Sequence, residues 1–306
     1  MPRRAQAPLP AALAALLRRF RAQRPLRAGS LLISVFGDAI APRGGAVTLG
    51  SLIRLAAPFG LTERLVRTSV ARLARAGWLA ARRSGRRSEY RLTPGGARRF
   101  AAATHRIYGA SPQDWDRVWT LALLPPGQAR LREELEWLGF GALNGTLLAH
   151  PTYRPAQVRR WLRRGAGATV LLLRAHGDDL DADRRLAGRG WDLQDLAQRY
   201  RRFVAAFAPV ETALARAPPA PATAFLVRTL LIHEYRKIHL RDPLLPPPLL
   251  PPRWVGSSAY ELCARLYGRV FAAAEEHLSG TAHRLHRALP PAAGGAPARF
   301  GGVTPP

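Results

Sequence analysis

The chain has 306 residues, enough for two or three domains that each bury a core. Hydrophobic residues make up 47% of it, yet every apolar run is broken by Arg, His or Pro well short of a membrane span, so a soluble protein is expected. Its 47 Lys and Arg outnumber 20 Asp and Glu, a formal charge of +27 that argues for a polyanionic partner, because guanidinium groups neutralise phosphates and release counterions.

The size of that charge says less than its sign. Lys237 is the only lysine, and Ala and Pro abound, so part of the arginine excess is compositional background. The single cysteine, Cys263, excludes an intrachain disulfide and a Cys-based zinc finger, which fits a reducing cytoplasm. Residues 1–28 form an N-terminal arm. Its apolar stretch Ala11–Leu17 superficially resembles a secretory signal, but Arg18 and Arg19 follow at once with no small-residue cleavage site. Leu13, Leu16, Leu17 and Phe20 instead share one helical face.

A helix is expected through Leu31, Leu32, Val35 and Phe36, ahead of a turn at Pro42-Arg43-Gly44-Gly45. An extended piece, Ala46–Thr48, leads to a second helix through Leu52, Ile53 and Leu55, closed by Pro58 and Gly60. Thr62 then caps a third helix with Glu63 in its first turn, ending at Gly77. Val66, Val70 and Leu73 make its inward stripe; Arg64, Thr68, Ala71 and Arg75 lie opposite, flanked by Arg67 and Arg72. The extended runs Trp78–Arg83 and Ser88–Leu92, joined through Ser84-Gly85-Arg86-Arg87, form a basic hairpin, and Thr93-Pro94 opens a further helix.

Helix, short strand, helix, turn, helix and basic hairpin is the order of a winged helix, assigned to residues 29–108. In that arrangement the third helix enters the major groove and the hairpin lies across the backbone or minor groove. Candidate DNA contacts are Arg64, Arg67, Thr68, Ser69, Arg72 and Arg75 on the helix and Arg82, Arg83, Arg86 and Arg87 on the hairpin. Arginine forks onto guanine O6 and N7, while Ser and Thr reach phosphates or base edges. For any one arginine an ordinary solvated face is an equal alternative. Two adjacent basic elements, with Glu63 and Glu89 the only nearby acids, favour DNA.

A composition change at Tyr108–Pro112 marks a connection. The order strand (Arg117–Leu123), helix (Ala129–Leu138, stopped by Gly139), strand (Leu143–Ala149), helix (Pro155–Arg164) and strand (Thr169–Arg174) suggests a small ferredoxin-like sandwich over residues 113–180. Helices Leu193–Ala208, Thr223–Leu240 and Ser257–Leu278 make a helical C-terminal domain, 190–289, with a loop at Pro218-Pro219-Ala220-Pro221. The middle helix is apolar on nearly all sides and therefore buried. The Gly/Pro/Ala-rich residues 290–306 read as a flexible tail. The fold class expected is α+β.

The runs SLLISVFGDAIAPRGG (Ser30–Gly45), ERLVRTSVARLARAGWL (Glu63–Leu79) and GRRSEYRLT (Gly85–Thr93) resemble the PaaX family of phenylacetate-catabolism repressors. So do GFGAL (Gly139–Leu143), LLIHEYRKIHLRDPLLPPPLLPPRWVG (Leu230–Gly256) and RFGG (Arg299–Gly302), so that the resemblance covers nearly the whole chain. It implies a winged helix, a central domain similar to the Cas2 nuclease fold and a helical C-terminal domain. It also implies a cytoplasmic homodimeric repressor released from operator DNA by phenylacetyl-CoA or a related aryl-CoA, with no cofactor. For the effector, Arg236 and Arg241 are candidates for the phosphates, and His233, Tyr235, His239 and Trp254, with Trp119 and Phe140, for an apolar pocket. A buried helix carrying satisfied His and Tyr, followed by a rigid Pro-rich clasp, explains the same residues without a ligand.

Enzyme motifs are not met. Lys237 follows Arg and precedes Ile, unlike a phosphate-binding loop; His233-Glu234 lacks a second His at the zincin spacing; and Gly256-Ser257-Ser258-Ala259-Tyr260 lacks the closing Gly of a nucleophile elbow. His283 and His286 read as surface histidines. Asp114 and Asp116 leave a Cas2-like metal-dependent nuclease as one alternative, though they fit capping of the first central strand better. A non-specific DNA-coating protein is the other.

Overall fold

Leu13, Leu17 and Phe20 recur at helical spacing and are buried along one side of α1 (Ala11–Arg21). The computed structural model to which this helix belongs describes residues 10–109, 114–162, 170–292, 296 and 299–301, so the first nine residues of the expected arm lie outside it. Helix α2 (Ala28–Val35) runs on into a π-helical turn, Phe36–Ile40, with Leu31, Leu32, Val35 and Phe36 all buried. Strand β1 (Ala46–Thr48) leads to α3 (Leu49–Ala56), whose N-terminus the Thr48 side chain caps. In α4 (Glu63–Arg75) the Thr62 hydroxyl accepts from the Leu65 N–H at 3.3 Å, and Gly77, at φ 70°, ends the helix in a conformation that favours glycine.

Strands β2 (Leu79–Ser84) and β3 (Arg87–Leu92) pair directly up to Ser84 and Arg87, leaving Gly85-Arg86 as a two-residue turn with Gly85 at φ 54°. The connection is therefore tighter than expected. Strand β1 pairs antiparallel with β3, and α5 (Pro94–Tyr108) opens on Thr93, whose hydroxyl accepts from the Gly96 N–H at 2.8 Å.

The middle of the chain forms β4 (Trp119–Leu123), α6 (Ala129–Trp137), β5 (Gly141–Ala142), β6 (Leu147–His150), α7 (Pro155–Leu162), β7 (Leu171–Ala175) and α8 (Leu180–Gly190). The sheet is antiparallel in the order β5-β6-β4-β7. The single strand expected over 143–149 is instead a hairpin: the Asn144 carboxamide oxygen accepts from the Thr146 and Leu147 N–H groups and turns the chain at Asn144-Gly145. Alternation along the strands sends Ala122, Leu148 and Leu172 to one apolar cluster and Trp119 and Ala149 to another. The expected C-terminal end of α7 and the strand start at Thr169 lie outside the described residues. Helix α8 was not expected; Asp179 caps it by accepting from the Ala182 N–H.

Helices α9 (Leu193–Arg216), α10 (Pro221–His239) and α11 (Val255–Thr281) follow, then a small hairpin of β8 (His283–Arg284) and β9 (Arg287–Ala288). Helix α9 was expected to stop at Ala208, but continues through Pro209. A helical proline forfeits a backbone hydrogen bond, and burial of Phe207, Val210 and Leu214 on both sides of it offsets the loss. Every residue of α10 from Ala224 to His233 is buried, as its all-round apolarity implied.

Contacts among these elements group them into two compact units. Among the described residues, those within 1–109, 201–240 and 258–306 form one compact unit, and those within 110–200 and 241–257 form the other. In the first unit Phe225 of α10 meets Phe59 edge-on, with ring centroids 6.2 Å apart, and His233 meets Phe20 at 5.6 Å. A helix apolar on all sides needs cover on all sides, and the N-terminal helices supply part of it. In the second unit Leu245 and Leu249 fill the cluster under Trp119.

The expected flexible tail is corrected in its described part. Arg299 and Phe300 are buried: Phe300 packs on Tyr108, Tyr260 and Tyr267, and Arg299 meets a carboxylate. The molecule is thus α+β with antiparallel sheets, and no helix among the described residues is long and apolar enough to cross a membrane.

Candidate nucleic-acid interface

Burial of Val66, Val70 and Leu73 fixes the roll of α4 and leaves Arg64, Arg67, Thr68, Arg72 and Arg75 exposed. Ser69 is a correction. It lies next to Leu73 at the edge of that apolar stripe on the helical wheel and is 1% exposed, so it belongs to the inner face. Arg67 pairs with Glu63 one turn earlier at 2.6 Å, and the Thr68 hydroxyl donates to the Arg64 carbonyl at 2.8 Å. The hairpin is held against the end of α4 by the Thr93 hydroxyl, which donates to the Gly77 carbonyl at 2.7 Å. Arg82, Arg83, Arg86 and Arg87 are all exposed on it.

The acids beside these arginines are engaged. Glu89 is buried under the hairpin, where its carboxylate accepts from the Leu285 N–H at 2.9 Å and lies 3.7 Å from Arg91 and from Arg284. Arg284 belongs to the β8–β9 hairpin, which stands beside the candidate residues and adds His283, His286 and Arg287 to the same face. Sequence reasoning missed this element. The signal for it is the run His283-Arg284-Leu285-His286-Arg287, two basic pairs around one apolar residue.

Around the turn after α2 lies a buried ionic network. Arg228 of α10 donates to Asp38 at 2.7 Å and to Glu275 of α11 at 2.6 Å, Glu275 also pairs with Arg43, and Arg299 donates to Asp38 at 2.7 Å. The Tyr108 and Tyr267 hydroxyls donate to the same Asp38 oxygen at 2.7 and 3.0 Å. Burial alone would raise the Asp38 carboxyl, but the charges of Arg228 and Arg299 and the Tyr108 hydrogen bond hold it below its ordinary value. Burial and the Asp38 charge push the Tyr108 hydroxyl well up, keeping it a donor.

The eight effector candidates do not form one group. His233, Tyr235, Arg236 and His239 belong to one unit, and Trp119, Phe140, Arg241 and Trp254 to the other. His233 contacts the Ser34 hydroxyl at 3.0 Å; Arg236 donates to Ser34 at 2.7 Å and to the Ser30 hydroxyl at 2.8 Å; Tyr235 bonds His239, which meets the Arg106 carbonyl. Trp119 donates to buried Asp183 at 2.8 Å, while Phe140 sits in the other apolar cluster. Arg241 is exposed and Trp254 half-buried against Tyr200. The Asp116 carboxylate accepts from Arg154 at 2.7 Å and from the Val118 N–H at 3.2 Å, so it caps the start of β4; desolvation would raise its carboxyl, but the Arg154 and Val118 hydrogen bonds and the Arg154 charge together hold it below the ordinary value. No group of three metal-ligating side chains occurs among the described residues.

Comparison with known proteins matches residues 27–96 to the family described as PaaX-like protein and residues 191–280 to the PaaX-like protein C-terminal domain. The Transcriptional repressor PaaX of Escherichia coli (strain K12) is 37% identical over 290 residues, 91% of this chain and 92% of that protein. Among solved structures, the uncharacterized protein Rv0674 from Mycobacterium tuberculosis aligns with a TM-score of 0.52 at 24% identity, over 80% of this chain and 98% of that one. That last likeness concerns the fold alone.

Proposed function

The chain belongs to the PaaX-like family, and on that premise we propose that it is a transcriptional repressor whose residues 29–108 form a winged-helix head for double-stranded operator DNA. The observation that carries this reading is the exposed arginine row of α4, clamped beside a hairpin with four more exposed arginines. In residues 63–92 nine arginines stand against two glutamates, one buried and the other paired. Helix α4 reads base edges through Arg64, Arg67, Thr68, Arg72 and Arg75, and the hairpin grips phosphates as a wing. The family likeness supports a regulator rather than an enzyme, and the Asp116 carboxylate, the better-placed of the two candidate metal ligands, is engaged by Arg154.

In the same reading the protein acts as a cytoplasmic homodimer and leaves its operator when phenylacetyl-CoA or a related aryl-CoA binds. The β-α-β-β-α-β order from β4 to β7, with its strand order, supports a ferredoxin-like, Cas2-like middle domain. Of the effector candidates in the second unit, exposed Arg241 would meet the CoA phosphates and half-buried Trp254 the aryl group. A gel shift on the DNA upstream of its own coding sequence, titrated with a panel of acyl-CoAs, tests the reading. A shift reversed by aryl-CoA supports it, and a complex indifferent to every acyl-CoA removes the effector.

A further inference from the structure

A cleft of about 500 Å³ opens beside α4. Arg54 of α3, Arg86 and Arg87 of the β2–β3 hairpin, and Arg284, His286 and Arg287 of the β8–β9 hairpin line it. No acidic side chain is on its wall, and among the described residues Arg86, Arg87 and Arg287 have no carboxylate within salt-bridge distance. Like charges gathered this closely repel one another, so they favour an anion between them.

The second hairpin is firmly placed. The His283 N–H donates to the Ser51 hydroxyl at 3.0 Å, the Leu285 N–H to Glu89 at 2.9 Å, and Arg54 to the Thr281 carbonyl at 2.9 Å. His286 holds a left-handed φ of 62° at its turn, where its ring meets the Ser84 hydroxyl at 3.3 Å. Glu89, buried beneath, leaves the Nε of Arg284 without a hydrogen-bond acceptor. The guanidinium groups are thereby presented to the cleft on a rigid frame.

We propose that the β8–β9 hairpin is a second phosphate-gripping element: with Arg54, Arg86 and Arg87 it seats a sugar-phosphate backbone of duplex DNA beside the groove that α4 enters. This rests on the reading of α4 and β2–β3 as DNA contacts. It adds that the grip is shared by two hairpins more than 190 residues apart in the chain, as the Leu285–Glu89 bond already ties them. The β8–β9 hairpin directly follows α11, the helix whose Glu275 holds Arg43 and Arg228, so the C-terminal helices have a direct hold on DNA.

The test is fluorescence anisotropy of the full chain with a labelled mixed-sequence duplex over a range of KCl concentrations. Arg287→Ala, at an exposed site, is expected to keep the wild-type Tm, weaken binding several-fold at low salt and lower the slope of log K against log salt by about one unit. Arg130→Ala, an equal charge loss on α6, is expected to change neither. If Arg86→Ala lowers the slope and Arg287→Ala leaves slope and affinity at wild-type values, the DNA reading stands and the second hairpin is excluded from the interface. A wild type that binds no duplex overturns both.

Discussion

Arg299 donates to the carboxylate of Asp38 at 2.7 Å, joining a residue near the C-terminal end of the chain to the turn after α2, with both side chains buried. Asp38 is also the acceptor for Arg228, Tyr108 and Tyr267, so one carboxylate gathers α5, α10, α11 and the chain's last described turn around α2. Removing it strands two buried guanidinium groups. Asp38→Ala is expected to lower stability by about 3–5 kcal/mol, read as a fall in the urea midpoint. A midpoint within error of wild type would show that the pairs contribute nothing.

Stability is also expected to depend on pH through His233. Burial first, then the charges of Arg236 and Lys237, hold its imidazole well below the ordinary value of 6.5. The folded state therefore keeps it neutral where the unfolded chain takes up a proton, so stability is full above that value and falls as pH drops below it. Tm should decline from pH 7 to pH 5, and His233→Phe, which preserves an edge contact to Phe20, should flatten much of that decline. An unchanged slope would place the proton uptake elsewhere, with half-buried His277 next in line because burial lowers it too.

Arginines of the two elements are expected to fail differently. Arg64→Ala or Arg67→Ala should cost about 1–3 kcal/mol of discrimination between operator and scrambled duplex. Arg86→Ala should weaken both duplexes alike and lower the salt slope by about one unit. Competition binding separates the two patterns. Identical losses in all three variants would mean that α4 reads no bases.

Plasmid DNA incubated with the protein and Mg²⁺ is expected to stay intact. Asp116→Ala should then differ from wild type only by losing the Arg154 contact and the cap on Val118. Cleavage by wild type that Asp116→Ala abolishes would restore the nuclease alternative.

Local signals made the head legible. Thr62, Gly77 and Thr93 announced their caps, and the stripe Val66, Val70, Leu73 set the roll of α4. Ser69 sits at the edge of that stripe beside Leu73, a border position where a small polar residue gives no local sign of which face it joins. The Asn144-Gly145 pair is itself a hairpin signal, and it breaks the apolar run around it into two strands. Helix α9 crosses Pro209 because tertiary burial outweighs a local helix breaker. The pairing of Asp38 with Arg299 leaves no periodic trace across 261 positions, so docking of the tail and the merging of head and C-terminal helices could not be read. The β8–β9 turn, Leu285-His286, lacks the glycine or asparagine that marks such hairpins.

The decisive measurement is a nuclease-protection footprint on the DNA upstream of its own coding sequence, with wild type and Arg64→Ala side by side. Wild type is expected to protect a palindromic site with half-sites about one helical turn, or a multiple, apart, and the variant to lose that pattern while still binding DNA at low salt. Uniform protection along the fragment, the same in both proteins, would contradict sequence-specific reading by α4 and leave a protein that merely coats DNA.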